Sequence, residues 1–326
     1  MRLSRWRVNR HDPPTAALVS MIRPALQTVP ATPARPLRVG AVQYLNTRPL
    51  VHGLAAAGVR LEFDLPSRLA DRLAAGTLDV ALIPSIEMFR APSKTIISDA
   101  CIACRGPVMS VKLFLRTQPG RVATLAVDEG SRTSATLARI LLAERYGVFP
   151  AIETLPIGAG LGDTTADAVL LIGDRALGPN GGAIGAASTC KGGSFQLVWD
   201  LGDEWVRWTG LPFVFAVWAA RDGIDARDLA GRLSAARDAG RAHLASIAAV
   251  EAAPHGLTVP QCLSYLRDSL HYDLGPTERQ ALDLFRDHAV RLSLALPESV
   301  TGGAAPSPRP ESRLAAPRFD SFPTAS

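Results

Sequence analysis

Neutral polar side chains cluster where predicted strands end and predicted helices begin. In α/β folds these positions meet, because loops converge at the carboxyl ends of parallel strands and helix N-termini expose unpaired N–H groups. A helix N-terminus carries about half a positive charge, so such a crevice can hold a small carboxylate without Arg or Lys. The residues of this kind are Tyr44, Asn46 and Thr47 after the first strand, Ser85 after a later one, Ser110 on a long strand, and Ser131, Thr133 and Ser134 at a helix start.

Each of these residues, taken alone, is most simply explained as a helix cap or a turn residue. As a set they indicate a crevice lined by hydroxyls, an amide and helix N-termini. Such a crevice suits a small anion that carries carboxylate and hydroxyl groups.

Several familiar catalytic patterns are excluded. The glycines at 158, 160 and 162 are in the wrong register for a dinucleotide fingerprint, and no Gly-Lys-Ser/Thr of a P-loop occurs. His-Glu-x-x-His and Gly-x-Ser-x-Gly are also missing. No motif supplies an obvious general base, and the sequence predicts neither a metal site nor a bound cofactor.

Four cysteines do not form a disulfide framework. Cys101 and Cys104 form a Cys-x-x-Cys, but a second pair of zinc-ribbon ligands is lacking, and the spacing falls at the end of a predicted strand. We interpret them as two partly buried thiols rather than as metal ligands or a redox pair. A reducing cytoplasm is therefore expected.

Apolar segments of strand length alternate with helical patterns along the body of the chain. A first helix begins at Asn46 or Thr47 and ends near Gly58, and Ser67 caps another that ends at Gly76. This alternation predicts a mostly parallel sheet with right-handed crossovers. The first predicted strands span residues 37–42, 59–65, 79–84 and 94–103.

A second unit of the same kind follows. Residues 107–116 alternate in polarity and end at a Pro-Gly turn, where we expect the chain to leave the first lobe. Residues 211–219 are predicted to return near residues 108–115. Between these segments we predict strands at 122–127, 152–157 and 168–172 and a helix from Ser131 to Gly147, and after them helices at 227–249, 258–270 and 276–294.

Two α/β lobes joined by two crossover strands are typical of the type 2 periplasmic-binding-protein fold, in which the ligand lies in a cleft between the lobes. We predict a disordered extension at 1–36 and a disordered tail at 298–326. The predicted lobes are 37–116 and 117–210, and the crossover strand and C-terminal helices at 211–297 return toward the first lobe.

The basic charge of the 326-residue chain lies in its two ends. Of the formal charge of +5, residues 1–36 carry +5 and residues 302–326 carry +1, which leaves the body near −1. The body therefore offers no face for nucleic acid. The N-terminal stretch lacks the continuous apolar segment of a secretory signal, and no apolar run approaches the roughly 18 residues of a membrane span. We expect a soluble protein that binds neither nucleic acid nor membrane.

A family resemblance enters at residues 43–50, Gln-Tyr-Leu-Asn-Thr-Arg-Pro-Leu. This block is similar to the Ser-Tyr-Leu-Asn-Thr-x-Pro signature of chorismate dehydratases of the futalosine route to menaquinone, with Gln43 where Ser is usual. The resemblance covers about residues 37–295. It continues in order through residues 79–85, 106–113, 128–134, 171–177 and 200–218.

The resemblance implies conversion of chorismate to 3-[(1-carboxyvinyl)oxy]benzoate by loss of water, without a cofactor. It adds Asp174, in the block 171–177, to the substrate-binding residues Tyr44, Thr47, Ser85, Ser131, Thr133 and Ser134. As catalytic residues we hypothesise Asn46 and Ser110, which orient the substrate carboxylate and hydrogen-bond the leaving hydroxyl. Because no side-chain base is evident, we hypothesise that the enolpyruvyl carboxylate of the substrate removes the ring proton.

Two other functions fit the same fold. A solute-binding protein for a small carboxylate shares the two-lobe architecture, although the sequence shows neither a signal peptide nor a lipobox cysteine. The related 1,4-dihydroxy-6-naphthoate synthase acts later in the same route. Its family pattern carries a catalytic histidine that has no convincing counterpart here.

Overall fold

The computed structural model describes residues 36–91, 94–177 and 193–296. Apart from residue 36, the extensions predicted at 1–36 and 298–326 lie outside these residues, as does Cys190. The described residues form two β-sheets with helices packed around them.

The first sheet has six described strands in the order β11-β4-β10-β3-β1-β2. Strands β1, β2 and β3 are parallel, whereas β10 runs antiparallel to both of its neighbours. The strands are β1 (Arg38–Val42), β2 (Arg60–Asp64), β3 (Val80–Pro84), β4 (Lys94–Cys104), β10 (Phe213–Arg221) and β11 (His271–Asp273).

The second sheet has five described strands in the order β7-β6-β8-β5-β9. Strand β6 is parallel to β7 and β8, and β5 is antiparallel to β8 and β9. The strands are β5 (Val111–Leu115), β6 (Thr124–Asp128), β7 (Ala151–Leu155), β8 (Ala168–Ile172) and β9 (Leu197–Asp200).

Two predictions about the sheets are wrong. The sheets are mixed rather than mostly parallel, because β5 and β10 cross between the sheets and enter antiparallel to their neighbours. Strand β10 returns near residues 108–115, since Phe215 and Ala216 line the same cavity as Val108 and Val111, but it does not pair with them. It pairs with β3 and β4 in the first sheet, while β5, which we assigned to the first lobe, pairs with β8 and β9 in the second.

Nine described helices surround the sheets, and no helix in the described ranges is both long and apolar enough to cross a bilayer. They are α1 (Pro66–Ala74), α2 (Glu87–Arg90), α3 (Thr133–Tyr146), α4 (Asp174–Leu177), α5 (Leu201–Thr209), α6 (Arg227–Ala242), α7 (Leu244–Glu251), α8 (Val259–Ser264) and α9 (Pro276–Arg291).

Some predicted helices differ in kind from the observed ones. The first is two 3₁₀ segments, Leu45–Val51 and Leu54–Ala57, because Pro49 lacks a donor and Gly53 has φ +72°. The helix predicted at 227–249 breaks at His243 into α6 and α7, and the one predicted at 258–270 changes from α8 into a π-helical turn, Tyr265–Ser269.

Cys101 and Cys104 lie within β4 and are fully buried rather than partly buried. Residues three apart in a strand point to opposite faces of the sheet. The two thiols accordingly belong to different apolar clusters, so this strand does not direct them at a common metal ion.

The first connection between the sheets, residues 105–110, is held against α5. The Asp200 carboxylate accepts hydrogen bonds from the backbone N–H groups of Val108 (2.9 Å) and Met109 (2.6 Å), and it also caps α5. Gly202 lets α5 approach, since a Cβ there would meet the Cys104 Sγ at 2.5 Å. This clamp positions the segment that ends in Ser110.

Candidate active site

A narrow cavity lies between the two sheets. Its wall is built from the carboxyl ends of β1, β3 and β8, the 105–110 connection and the start of α3. This agrees with the expectation that ligands of α/β folds bind at the carboxyl ends of strands. Of the predicted site residues, those that line it are Tyr44, Asn46, Ser110, Ser131, Thr133 and Ser134. Three others, Thr47, Ser85 and Asp174, lie behind this wall.

Asn46 lies at the start of the first 3₁₀ segment and is 9% exposed, toward the cavity. Behind it, the fully buried Thr47 donates its hydroxyl to the Asn46 Oδ1 at 3.2 Å. Because that oxygen is turned toward Thr47, the amide NH₂ group points toward its other neighbours. Thr47 therefore orients Asn46 and is not itself part of the lining.

Ser110 is held mainly by its backbone. Its N–H donates to the Val108 carbonyl at 2.7 Å, and its own carbonyl accepts from the Gly173 N–H at 2.8 Å. Met109, just before it, has φ +63°, a conformation that non-glycine residues adopt uncommonly. These constraints fix the place of the Ser110 hydroxyl at the junction of the two sheets.

Tyr44 closes one side of the cavity. Its ring packs on Gly173, where a Cβ would come within 2.5 Å of the Tyr44 ring, and its hydroxyl lies beside Gly130. Burial raises the pKa of Tyr44, and the Asp128 carboxylate raises it further. Tyr44 therefore stays neutral, and glycine is needed at residue 173 to make room for it.

The start of α3 combines capping with a contact across the cleft. The Ser131 hydroxyl accepts from the Ala135 N–H at 3.2 Å, which agrees with the capping explanation. Thr133 accepts from the Ile86 N–H at 3.3 Å and lies 3.4 Å from the Ser85 hydroxyl, which donates to a backbone carbonyl. Ser85 thus supports Thr133 from the first sheet instead of reaching the cavity.

Asp174 fastens the Tyr44–Asn46 loop to the second sheet. Its Oδ1 accepts from the Leu45 N–H at 3.0 Å, and its Oδ2 lies 3.3 Å from the His255 Nε2. Burial raises the pKa of Asp174, although the Leu45 hydrogen bond acts in the opposite direction. Its place in the structure is a support of the loop that carries Asn46.

Arginine pairs that the sequence analysis missed join the two sides of the cleft. Arg132, just before α3, donates to both oxygens of Asp71 at 2.8 Å and lies 3.4 Å from Glu87. Arg68 donates to Glu129 at 3.0 Å. Charges on different elements give no local pattern in sequence, so only the three-dimensional arrangement reveals them.

The cavity wall is poor in ionisable groups. Among the described residues that line it, only Tyr44 and Arg132 carry ionisable side chains, and the Arg132 guanidinium is paired with two carboxylates. No Asp, Glu, His or Lys belongs to this described lining. The wall offers hydroxyls, an amide and the first N–H groups of α3, which bind anions but do not remove protons at neutral pH.

Comparison with protein families decides the membership of the chain. A family model described as menaquinone biosynthesis matches residues 37–291. The chain belongs to this menaquinone-biosynthesis family. Its relatives include the protein named chorismate dehydratase from Thermus thermophilus, which is 32% identical over 261 residues, 78% of this chain and 95% of the relative. The resemblance seen at residues 43–50 and in the later blocks is thereby confirmed.

Solved structures confirm the fold of this family member. A protein from Archaeoglobus fulgidus matches with a TM-score of 0.57 and 15% identity, over 80% of this chain and 99% of that one. The periplasmic aliphatic sulphonate binding protein of Escherichia coli matches with a TM-score of 0.52 and 15% identity, over 85% and 97%. The chain has the α/β fold of periplasmic binding proteins.

Proposed function

We propose that the protein is a chorismate dehydratase, a hydro-lyase that converts chorismate to 3-[(1-carboxyvinyl)oxy]benzoate and water as the first step of the futalosine route to menaquinone. Membership of the menaquinone-biosynthesis family and the name of the Thermus thermophilus relative support this activity. The cavity supports it independently, because neutral donors and a helix N-terminus suit a dianion that carries a hydroxyl.

The reaction removes one proton and one hydroxyl from adjacent ring carbons. The C–H bond at the carbon that bears the enolpyruvyl ether breaks, its electron pair forms the new ring double bond, and the neighbouring hydroxyl leaves with its bonding electrons. The removed proton and the hydroxyl make up the water, so the step needs no oxidant or reductant. Aromatisation of the ring supplies the driving force.

The base is the substrate's own enolpyruvyl carboxylate. The observation that carries this point is the described cavity lining, which lacks Asp, Glu, His and Lys. A carboxylate attached beside the reacting C–H bond and held in place gains the advantage of an intramolecular reaction. Effective molarities of well-oriented intramolecular reactions reach about 10⁵ M and above. The protein then has to orient the substrate instead of supplying the base.

Asn46 and Ser110 are the groups that orient the reacting part. The Asn46 amide, fixed by Thr47, donates to the enolpyruvyl carboxylate, and the Ser110 hydroxyl donates to the leaving hydroxyl. A hydrogen bond that strengthens as negative charge develops on the leaving oxygen lowers the barrier. The start of α3, with Ser131, Thr133 and Ser134, receives the ring carboxylate.

Closure of the cleft excludes water from the cavity. The contacts Thr133 to Ile86, Arg132 to Asp71 and Arg68 to Glu129 all join the two sides. Substrate bound between the sides adds further cross-cleft contacts, so binding favours the closed arrangement. We propose that the cleft opens at the 105–110 connection and at the return before β10.

The decisive experiment mixes purified protein with chorismate, without an added cofactor, and follows the aromatic product by absorbance and mass spectrometry. We expect product that is one water lighter than chorismate, with strong losses for Asn46→Ala and Ser110→Ala. Binding of chorismate without turnover would instead support a solute-binding protein. Full activity of both variants, with loss in a histidine or acidic variant, would refute the substrate-assisted mechanism.

We further propose that the enzyme acts in the cytoplasm and without a cofactor. The buried free thiols of Cys101, Cys104 and Cys262 support a reducing compartment. The elimination changes no oxidation state overall, so the chemistry itself requires no redox group.

A further inference from the structure

Tyr265 is a buried residue directly behind the proposed catalytic pair. It begins the π-helical turn Tyr265–Ser269, where α8 changes its hydrogen-bonding pattern. Such turns are rare and often occur at functional sites, because the extra residue redirects a side chain. Tyr265 is 1% exposed, and its hydroxyl lies close to the side chains of both Ser110 and Asn46.

The Tyr265 hydroxyl is a buried polar group without a hydrogen-bond partner in the described part of the chain. Within the described residues, no atom forms a hydrogen bond of good geometry with it. Buried hydroxyls are nearly always satisfied, so an exception beside a cavity needs an explanation. The polar side chains near this hydroxyl are those of Ser110 and Asn46, both of which line the cavity.

The phenol is a permanent donor. Burial raises the pKa of Tyr265 far above its ordinary value, while Ser110 and Asn46 act weakly in the opposite direction. The hydroxyl therefore keeps its proton at every pH at which the protein works. A neighbour that accepts this proton must direct its own hydrogen elsewhere.

We propose that Tyr265 is a positioning residue for the elimination, which donates its hydroxyl to the Ser110 Oγ so that the Ser110 proton points at the leaving hydroxyl of chorismate. The inference rests on the proposed dehydratase function and deepens it. With substrate bound it would complete a directed chain that starts from the observed bond of Thr47 to the Asn46 Oδ1: the Asn46 amide would donate to the Tyr265 oxygen, and Tyr265 to Ser110. Hydrogen bonds in such chains polarise one another.

The test compares Tyr265→Phe with a matched control, Tyr272→Phe. Tyr272 is also buried, at 3% exposed, and its hydroxyl is also without a partner among the described atoms. The neighbours that affect its pKa are Tyr265, Cys262 and Arg241, and not Ser110 or Asn46. We expect Tyr265→Phe to lower kcat by about 10-fold to 100-fold with KM changed less than about 3-fold. Its unfolding midpoint should stay the same or rise, because the variant removes an unsatisfied buried hydroxyl. Tyr272→Phe should keep the wild-type kcat.

A double-mutant cycle shows whether Tyr265 acts through Ser110. In a Ser110→Ala background, Tyr265→Phe should change kcat by less than about 3-fold, since the group that it orients is gone. Three results would overturn the inference and leave the dehydratase function standing. They are an unchanged kcat in Tyr265→Phe, an equal loss of kcat from this substitution in the Ser110→Ala background, and failure of Tyr265→Phe to fold. A wild-type protein without activity on chorismate would overturn both.

Discussion

Asn46→Asp is the substitution that most sharply probes the charge of the bound substrate. It conserves the shape of the side chain but replaces an N–H donor with a carboxylate oxygen at a position that is 9% exposed and lines the cavity. Two like charges about 4 Å apart repel by about 4 kcal/mol at an effective dielectric constant of about 20. Since about 1.4 kcal/mol corresponds to tenfold, kcat/KM at pH 7 should fall about 10³-fold.

Asn46→Ala separates this repulsion from the loss of a hydrogen bond. The alanine variant loses one hydrogen bond to a charged acceptor, about 1.5–3 kcal/mol, and should fall about 10-fold to 100-fold. The aspartate variant should also recover as the pH is lowered, because protonation of the new carboxyl removes the repulsion. Its kcat/KM should rise by up to about tenfold per pH unit toward acid, above the ordinary carboxyl pKa of about 3.9.

The assay is the initial rate of aromatic product formation at several chorismate concentrations, from about pH 5.5 to about pH 8. The wild type and the alanine variant should show no comparable rise toward acid. An aspartate variant that equals or exceeds the alanine variant at pH 7 would refute the placement of Asn46 against a substrate carboxylate. A ratio of the two variants that does not change with pH would refute it as well.

Substitutions at three further residues test two supports of the site and one buried carboxylate of the first sheet. Asp174→Ala removes a charge-assisted hydrogen bond to the loop that carries Asn46 and should lower kcat/KM about 10-fold to 100-fold. Asp174→Asn keeps an acceptor and should retain most of the wild-type kcat/KM. Equal values of kcat/KM for the two variants would contradict the role of Asp174. Gly173→Ala places a Cβ 2.5 Å from the Tyr44 ring and should destabilise the protein by about 1–3 kcal/mol in chemical denaturation; an unchanged midpoint would contradict the close packing. Burial of Asp79 opposes its charge, but hydrogen bonds from Arg38 and Arg221 outweigh this effect and hold the Asp79 pKa well below its usual value. The stability of the wild-type protein should therefore fall as the pH drops below about 4. Asp79→Asn should be less stable than the wild type at neutral pH and should lose less stability on acidification. An equal loss of stability in both proteins would show that Asp79 does not cause the acid dependence.

The local rules of sequence identify the cavity wall well. Asn46, Ser131 and Ser134 reach one cavity because strand ends and helix starts of the two sheets meet there, which the order of the elements already implies. The same rules cannot separate the lining from its support. Thr47 and Asp174 occupy the same kinds of turn, but Thr47 donates its hydroxyl to Asn46 and Asp174 accepts from the Leu45 N–H.

The partners of the two crossing strands, β5 and β10, could not be predicted from local sequence patterns. Alternation predicts that Val111–Leu115 is a strand, but not that its neighbours are β8 and β9, because strand partners are far apart in sequence. Tyr265 was missed for a related reason. An aromatic residue within a predicted helix is most simply part of the core, and only the π-helical turn brings its hydroxyl to Ser110.

The pH dependence of kcat for the wild-type protein on chorismate tests the central claim most directly. The described cavity lining has no Asp, Glu, His or Lys, and the carboxylates of the substrate are fully ionised above about pH 5.5. We predict measurable dehydration with a kcat that is flat from about pH 5.5 to about pH 9. A limb near the ordinary histidine pKa of about 6.5 that disappears when one histidine or acidic residue is replaced would show that a side chain is the base, and would contradict the substrate-assisted mechanism.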